Sequence, residues 1–501
     1  MYYIVWSEVI YMFHNKKRMM YFFIFVSFMI IFSLIWVDKT FSVQSLNQII
    51  YHTKFTSSDF DIGIFYDYLI KVIPLSMISF LIVLGIIAFV KKKKYKNIEH
   101  YYPYICIMTI VASLTIACLR LNVIAYFTHK SESTDFYQTH YVNPEMTNIT
   151  FGENKHNLIH IYLESIESTY VSKDNGGYFD ESLMPELEQL ALENIHFSHQ
   201  EKIGGALTLE GTQWTTASVI AQTSGITSSL SIDNEKYEPG SSFLPGVYSL
   251  GEVLQKEGYH QEVIMGSNAD FAGISNYYQQ HGDYEILDYY KALEDGRIPK
   301  DYHVFWGFED QKLFEIAKEE ITRLANEDGY FSVEMMTIDP HTPNGYVCEQ
   351  CPKIYDNQYK NVIACQSHQV YEFVQWLQQQ DFYENTTIVI TGDHKSMSSQ
   401  FFSDFDTSYV RTPYNCIINS VVSTDHTKNR SFNVVDMYPT ILASIGAQIE
   451  GDRLGIGTNL FSHQQTLLEK YGLDFINNEL SKTDSYYQRK LLGLKKEQLS
   501  R

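Results

Sequence analysis

Hydrophobic positions divide the chain into two unlike parts. Before residue 130 they form three long blocks, about Met19–Val37, Tyr68–Val90 and Pro103–Phe127. Each is near the ~20 residues that about 30 Å of hydrocarbon requires of a helix, so the pattern predicts three membrane spans. Beyond residue 154 the apolar blocks are short. Asn157–Leu163, His260–Met265, Phe331–Ile338 and Thr386–Thr391 read as strands. Val247–Glu257, Asp310–Asn326, Gln366–Gln380 and Val434–Ile445 read as helices. A further helix is expected around Pro185, with Ser182 as N-cap and Leu183, Leu187 and Leu190 apolar. Strands alternating with helices predict an α/β domain, its sheet doubly wound, mostly parallel and flanked by helices.

The expected organisation is a membrane region at 1–127, a polar juxtamembrane linker at 128–153, a globular domain at 154–468 and a polar tail at 469–501. Basic residues orient the spans. Lys16-Lys17-Arg18 precedes the first, and Lys91-Lys92-Lys93-Lys94 with Lys96 separates the second from the third, whereas the intervening loop has only Lys39 and Lys54. By the positive-inside rule the N-terminus and the Lys91 loop face the cytoplasm. The chain is then a multi-pass protein of the cytoplasmic (inner) membrane, with its globular domain on the periplasmic or extracellular side. A cleaved signal peptide competes for the first block, but no small-residue cleavage pattern follows Val37 and two more blocks do.

Charge narrows the partners. Through Lys130 there are 13 Lys/Arg against 6 Asp/Glu; the remainder has 25 against 53. So acidic an outward part argues against nucleic acid as a partner. Of six cysteines, Cys106 and Cys118 lie in the third block as apolar residues. Cys348, Cys351, Cys365 and Cys416 lie outside the membrane, where disulfides persist, with three pairings open and zinc binding by Cys348 and Cys351 as an alternative.

Chemistry concentrates where two strands end. The run Thr386–Gly392 closes on Asp393-His394, and Asn157–Leu163 closes on Glu164. Open α/β sheets bind ligands outside the carboxyl ends of their strands. Two carboxylates and an imidazole there suit one divalent cation, Mn²⁺, Zn²⁺ or a Mg²⁺-like ion. Between them, Gly204–Thr216 supplies hydroxyls. Thr215 stands before Ala217-Ser218-Val219-Ile220-Ala221, a plausible helix whose positive N-terminus favours phosphate. Thr212 and Thr216 offer the same nucleophile. A divalent cation is one of the few means of making a threonine alkoxide accessible near neutral pH.

Four ordered motifs carry a resemblance. Tyr162-Leu163-Glu164-Ser165-Ile166-Glu167-Ser168-Thr169-Tyr170, Glu210-Gly211-Thr212-Gln213-Trp214-Thr215, Asp339-Pro340-His341-Thr342-Pro343-Asn344-Gly345 and Thr391-Gly392-Asp393-His394 resemble those of the periplasmic-glucan phosphoglycerol transferases. More distantly they resemble lipoteichoic acid synthases, all within the alkaline phosphatase/sulfatase superfamily. The likeness covers roughly residues 154–461, and Trp306–Asp310 and Asp436–Thr440 also resemble landmarks. It implies a sulfatase-like fold. It implies Glu164, Thr215, Asp393 and His394 as ligands of one divalent cation, Mn²⁺ first and Mg²⁺ or Zn²⁺ as alternatives. Thr215 is then the catalytic nucleophile and His341 a substrate-phosphate or leaving-group contact. The implied reaction moves phosphoglycerol from a phosphatidylglycerol-type lipid to an envelope glycan. Hydrolysis, phosphoethanolamine transfer or a non-catalytic envelope-assembly role are the alternatives. Met265, Ala272 and Ile274 stand where lipoteichoic acid synthases carry a His, a Trp and an Arg around glycerophosphate, and the Cys-x-Pro-x-Arg context of sulfatases is absent.

Overall fold

The computed structural model describes residues 16–40, 62–92, 101–228 and 239–495, in two units, Met1–Thr128 and His129–Arg501. The first contains α1 (Lys16–Thr40), α2 (Ile62–Lys92) and α3 (Tyr102–Arg120). All three are long and apolar enough to cross a membrane. Polar side chains meet where α1 and α3 end and α2 begins. The Trp36 indole donates to Asp67 at 2.8 Å, and Arg120 pairs with Asp38 at 2.7 Å. Such aromatic and charged residues suit a membrane–water interface. The third span is shorter than its hydropathy suggested. The chain breaks at Leu121-Asn122, with Asn122 left-handed (φ 50°), and Val123–Ser131 is a separate helix rather than a continuation to Phe127. Lys54, Lys93, Lys94 and Lys96 lie outside the described residues.

A six-stranded sheet organises the second unit. Its strands are β1 (Asn157–Leu163), β2 (Tyr259–Met265), β3 (Glu285–Leu287), β4 (Tyr330–Met336), β5 (Thr386–Gly392) and β6 (Asn415–Ile418), in the order β3-β2-β4-β1-β5-β6. All neighbours are parallel except β5 and β6. Every residue of β1 and β5 is buried, as a parallel sheet covered on both faces demands. Period-2 alternation feeds two cores. Leu158 and Tyr162 of β1 pack on one side with α5 (Thr215–Ser224) and α9 (Met437–Ser444). Ile159, Ile161 and Leu163 pack on the other with α4 (Pro185–Glu193), α7 (Asp310–Ala325) and α8 (Gln358–Leu377). A further helix, α6 (Leu250–Lys256), opens on a Ser249/Glu252 capping box.

Several boundaries moved for physical reasons. α8 starts at Gln358, because Asn357 caps it through the Lys360 N–H. Met184, not Ser182, precedes α4, and the Ser182 hydroxyl accepts from the Met184 N–H in a turn. β4 stops at Met336, since the Asp310 carboxylate takes the N–H groups of Ile338 and Asp339. The segments read as linker and tail are built into the unit. Ile149–Phe151 pairs with Ala447–Ile449, and Ser133–Thr134 pairs with Thr483–Asp484. Tyr137, Ile476, Tyr487 and Leu491 are buried. Residues 496–501 of that tail lie outside the described residues. Cys351 and Cys365 form a disulfide, with the Cys348 sulfur 3.4 Å from Cys351 and 3.7 Å from Cys365, while Cys416 is buried apart in β6.

Candidate metal centre

Adjacent strands bring the ligand candidates together. β1 and β5 pair with Leu163 opposite Gly392, so the residues that follow, Glu164 and Asp393, leave the sheet side by side. Gly392 is required there because a Cβ would collide with the Ile166 carbonyl. Ser165 then adopts a left-handed conformation (φ 57°), which aims its N–H at Asp393 Oδ1 (2.9 Å) and its hydroxyl at Glu164 Oε1 (2.6 Å). The Glu164 N–H is held by Thr337 Oγ1 at 2.9 Å, itself bound by Gln366, which also donates to Asp310. The His394 Nδ1 lies 3.0 Å from the Lys395 carbonyl and must donate to it, leaving Nε2 turned inward.

Thr215 comes from another element. It is the first residue of α5, half-buried, with Trp214 as N-cap. Its Oγ1 is 3.4 Å from both Glu164 Oε2 and His394 Nε2. Thr212 instead donates to the Leu209 carbonyl, and Thr216, one position further, is buried in the helix. Ser218, one turn into α5, donates to the Asp393 carbonyl and fastens the helix to the strand end.

These side chains fit a divalent cation. Glu164, Asp393 and His394 each offer a ligand atom, all within 4.8 Å of one another and at most 2% exposed. His394 Nε2 lies 3.3 Å from Asp393 Oδ2 and 3.9 Å from Glu164 Oε1. A tetrahedron with metal–ligand bonds of about 2.1 Å has edges of about 3.4 Å, so the spacing is that of ligands around an ion. Asp393 Oδ2 is buried and has no hydrogen-bond partner, an arrangement that calls for a cation. Burial and then the Glu164 charge push the Asp393 carboxyl up to about 7. For His394 burial opposes protonation, but Asp393 and Glu164 outweigh it and raise the imidazole.

The other residues that the motifs singled out lie outside the cluster. Glu167 is not turned to the cluster; it accepts from Arg411, Thr169 and the Ser396 N–H, and Arg411 also donates to the Ser396 carbonyl. This braces the loop behind His394. His341 sits on the loop after β4, its ring against Trp306 at 5.0 Å and its Nδ1 3.0 Å from the Thr342 carbonyl. Met265 and Ile274 belong to the apolar core, and Ala272 is left-handed (φ 54°) and buried. His160 is buried beside Thr391 at 2.9 Å and pushed down to about 3 by burial, a neutral structural histidine.

Comparison with known proteins gives the setting. A family model described as Sulfatase matches residues 156–447. Phosphoglycerol transferase I of Citrobacter koseri is 31% identical over 249 residues, 48% of this chain and 31% of that protein. The Shigella flexneri protein of that name is 28% identical over 349 residues, 67% of this chain and 43% of its own length. The chain thus spans less than half the length of these curated relatives. The crystal structure of the lipoteichoic acid synthase LtaP from Listeria monocytogenes superposes with a TM-score of 0.48 at 16% identity, covering 63% of this chain and 79% of that one.

Proposed function

The chain belongs to the sulfatase family, and from that premise we propose that it is a membrane-anchored phosphoglycerol transferase. The donor is a phosphatidylglycerol-type lipid and the acceptor an envelope glycan. Relatives named phosphoglycerol transferase I support the reaction class. The observation that carries it is the Thr215 hydroxyl, at a helix N-terminus and 3.4 Å from Glu164 and His394. Threonine in this place, with no Cys-x-Pro-x-Arg anywhere in the chain, points away from sulfate-ester chemistry.

Glu164, Asp393, His394 and Thr215 would hold one divalent cation, Mn²⁺ by preference. When bound, such an ion lowers the pKa of a coordinated hydroxyl and neutralises charge on phosphate oxygens. Thr215 Oγ1 gives up its proton and forms the bond to phosphorus as the bond to the diacylglycerol oxygen breaks, and that oxygen departs having taken up one proton in its place. A sugar hydroxyl then attacks the phosphothreonine and restores Thr215. The α5 N-terminus supplies dipole stabilisation to the phosphate, and His341 contacts the substrate phosphate or the leaving oxygen. Residues 154–468 form the catalytic domain in this reading, on the outer side of the membrane. The three spans keep it at the lipid surface, which raises the donor's effective concentration.

The test is mass spectrometry of the Thr215 peptide after the full chain, in lipid nanodiscs with Mn²⁺, meets labelled phosphatidylglycerol. A phosphoglycerol adduct is expected. Thr215→Ala should lower transfer by about 10⁴-fold or more without altering the melting temperature. Full activity in that variant would refute the assignment, and acceptor-independent release of glycerophosphate would mark a hydrolase instead.

A further inference from the structure

We infer that a second hollow on the domain, separate from the metal cluster, binds the acceptor as an uncharged saccharide. This rests on the transferase reading above for the word acceptor; the saccharide site itself stands on its own lining. The hollow has a volume of about 460 Å³, within the range of sites for small organic ligands. Three segments wall it, represented by Lys173 and Tyr178, by His199 and Gln200, and by Asp406 and Tyr409. The first segment follows Glu164 out of β1 and the third follows His394 out of β5, while the second leads toward Thr215. The first and third therefore leave the sheet at the strand ends that bear the metal cluster.

The hollow is built rather than left between loose loops. The Tyr409 hydroxyl and the Gln200 amide both donate to the Gly176 carbonyl at 3.2 Å. The Asp406 N–H donates to the Tyr178 hydroxyl at 3.0 Å. Tyr178 stacks on Phe405 with ring centroids 3.9 Å apart and planes 13° apart, and Tyr409 meets it edge-on at 5.3 Å. An aromatic wall with polar groups at its margin is what a sugar needs, whose rings present C–H faces and whose rims present hydroxyls.

Charge selects among ligands. Lys173 is paired with Asp180 at 2.8 Å. Burial lowers the pKa of His199, which favours the neutral imidazole. Hydrogen bonds from Ser408 lower the pKa of Asp406 and keep it anionic. The lining thus has no surplus positive charge to hold a phosphate or an anionic headgroup, but it offers both donors and acceptors. The third segment is also tied to the chemistry. Two residues after Tyr409, Arg411 grips Glu167 and the Ser396 carbonyl beside His394.

The experiment uses the full chain in nanodiscs with a linear β-gluco-oligosaccharide as probe and inorganic phosphate as the anionic control. Two variants act on the hollow. Tyr178→Ala strips its wall, and Ser408→Trp fills it from an exposed position. Both should weaken oligosaccharide binding about tenfold or more. Both should slow discharge of the Thr215 adduct by the oligosaccharide to a similar degree, while adduct formation from lipid stays within about twofold of wild type. Binding by phosphate in place of the oligosaccharide, no oligosaccharide binding by the wild type, or wild-type affinity in both variants would each overturn the site. Failure of the wild type to form any adduct would overturn the transferase reading alone, since variant-sensitive saccharide binding can be read without it.

Discussion

Two sets of buried acids lie on the same sheet and are treated in opposite ways. Glu334, in the middle of β4 and 0% exposed, accepts from the hydroxyls of Tyr162 (2.9 Å), Tyr278 (2.6 Å) and Tyr284 (2.9 Å). Glu164 and Asp393, at the strand ends, are as deeply buried, yet the Asp393 Oδ2 has no donor and the nearest side-chain base is His394. A carboxyl that the fold itself satisfies belongs to the architecture. One left short of donors, beside a second carboxylate, stores electrostatic free energy that an added cation can release. The difference shows where the polypeptide ends and its chemistry begins.

The comparison breaks if the two sets respond alike to substitution. Asp393→Asn should lower transfer by about 10³-fold or more, yet leave the metal-free chain at least as stable, because one of two carboxyl groups buried side by side becomes neutral. Parallel assays and thermal melts check this. Glu334→Gln should do the reverse, destabilising by about 3 kcal/mol in denaturant melts while the folded fraction keeps near-wild-type turnover. Mn²⁺ at a hundredfold excess over its dissociation constant should stabilise the wild type and Glu334→Gln by about 2.7 kcal/mol, and Asp393→Asn by much less, in calorimetry.

The smallest effect is in pH. Burial raises the Glu334 pKa above 4.5 against the pull of its three tyrosines. The folded state therefore binds this proton more tightly than the unfolded state. Its stabilising contribution is fully present below about 4.5 and is lost as pH rises toward the folded pKa. The stability advantage of wild type over Glu334→Gln should shrink as denaturant midpoints are taken from pH 4 toward neutrality. An advantage that grows instead would mean that Glu334 is held as a stabilised anion.

The sequence showed the parts of this site that local patterns specify. An apolar run ending on Asp393-His394 and another ending on Glu164 announce the strands and the side chains that cluster at their ends. The braces around them were illegible, since Thr337, Gln366 and Arg411 reach the cluster from elements distant in the chain and no local pattern records such pairings. The same holds for Glu334, whose donors come from β1 and from the segment between β2 and β3. The segment beyond Leu468 was misleading for a different reason. Its polar average hides Ile476, Tyr487 and Leu491, three well-spaced apolar residues that are buried in the core. Asn357 was an available signal for the start of α8, a capping residue before an extended apolar face.

The ladder that sets Leu163 opposite Gly392 has a consequence for how activity is lost. Glu164, Asp393 and His394 inherit their spacing from one pair of central strands, and such strands open only with the whole domain. Thr215 arrives on α5, ten residues long and held to the strand end through Ser218. A helix can loosen before the sheet melts. On gentle heating Thr215 should drift out of alignment while the Glu164–Asp393–His394 cluster still holds, so amides of α5 should exchange hydrogen sooner than those of β1 and β5. The working life of such an enzyme is then set by its most weakly anchored part, not by the strength of its sheet.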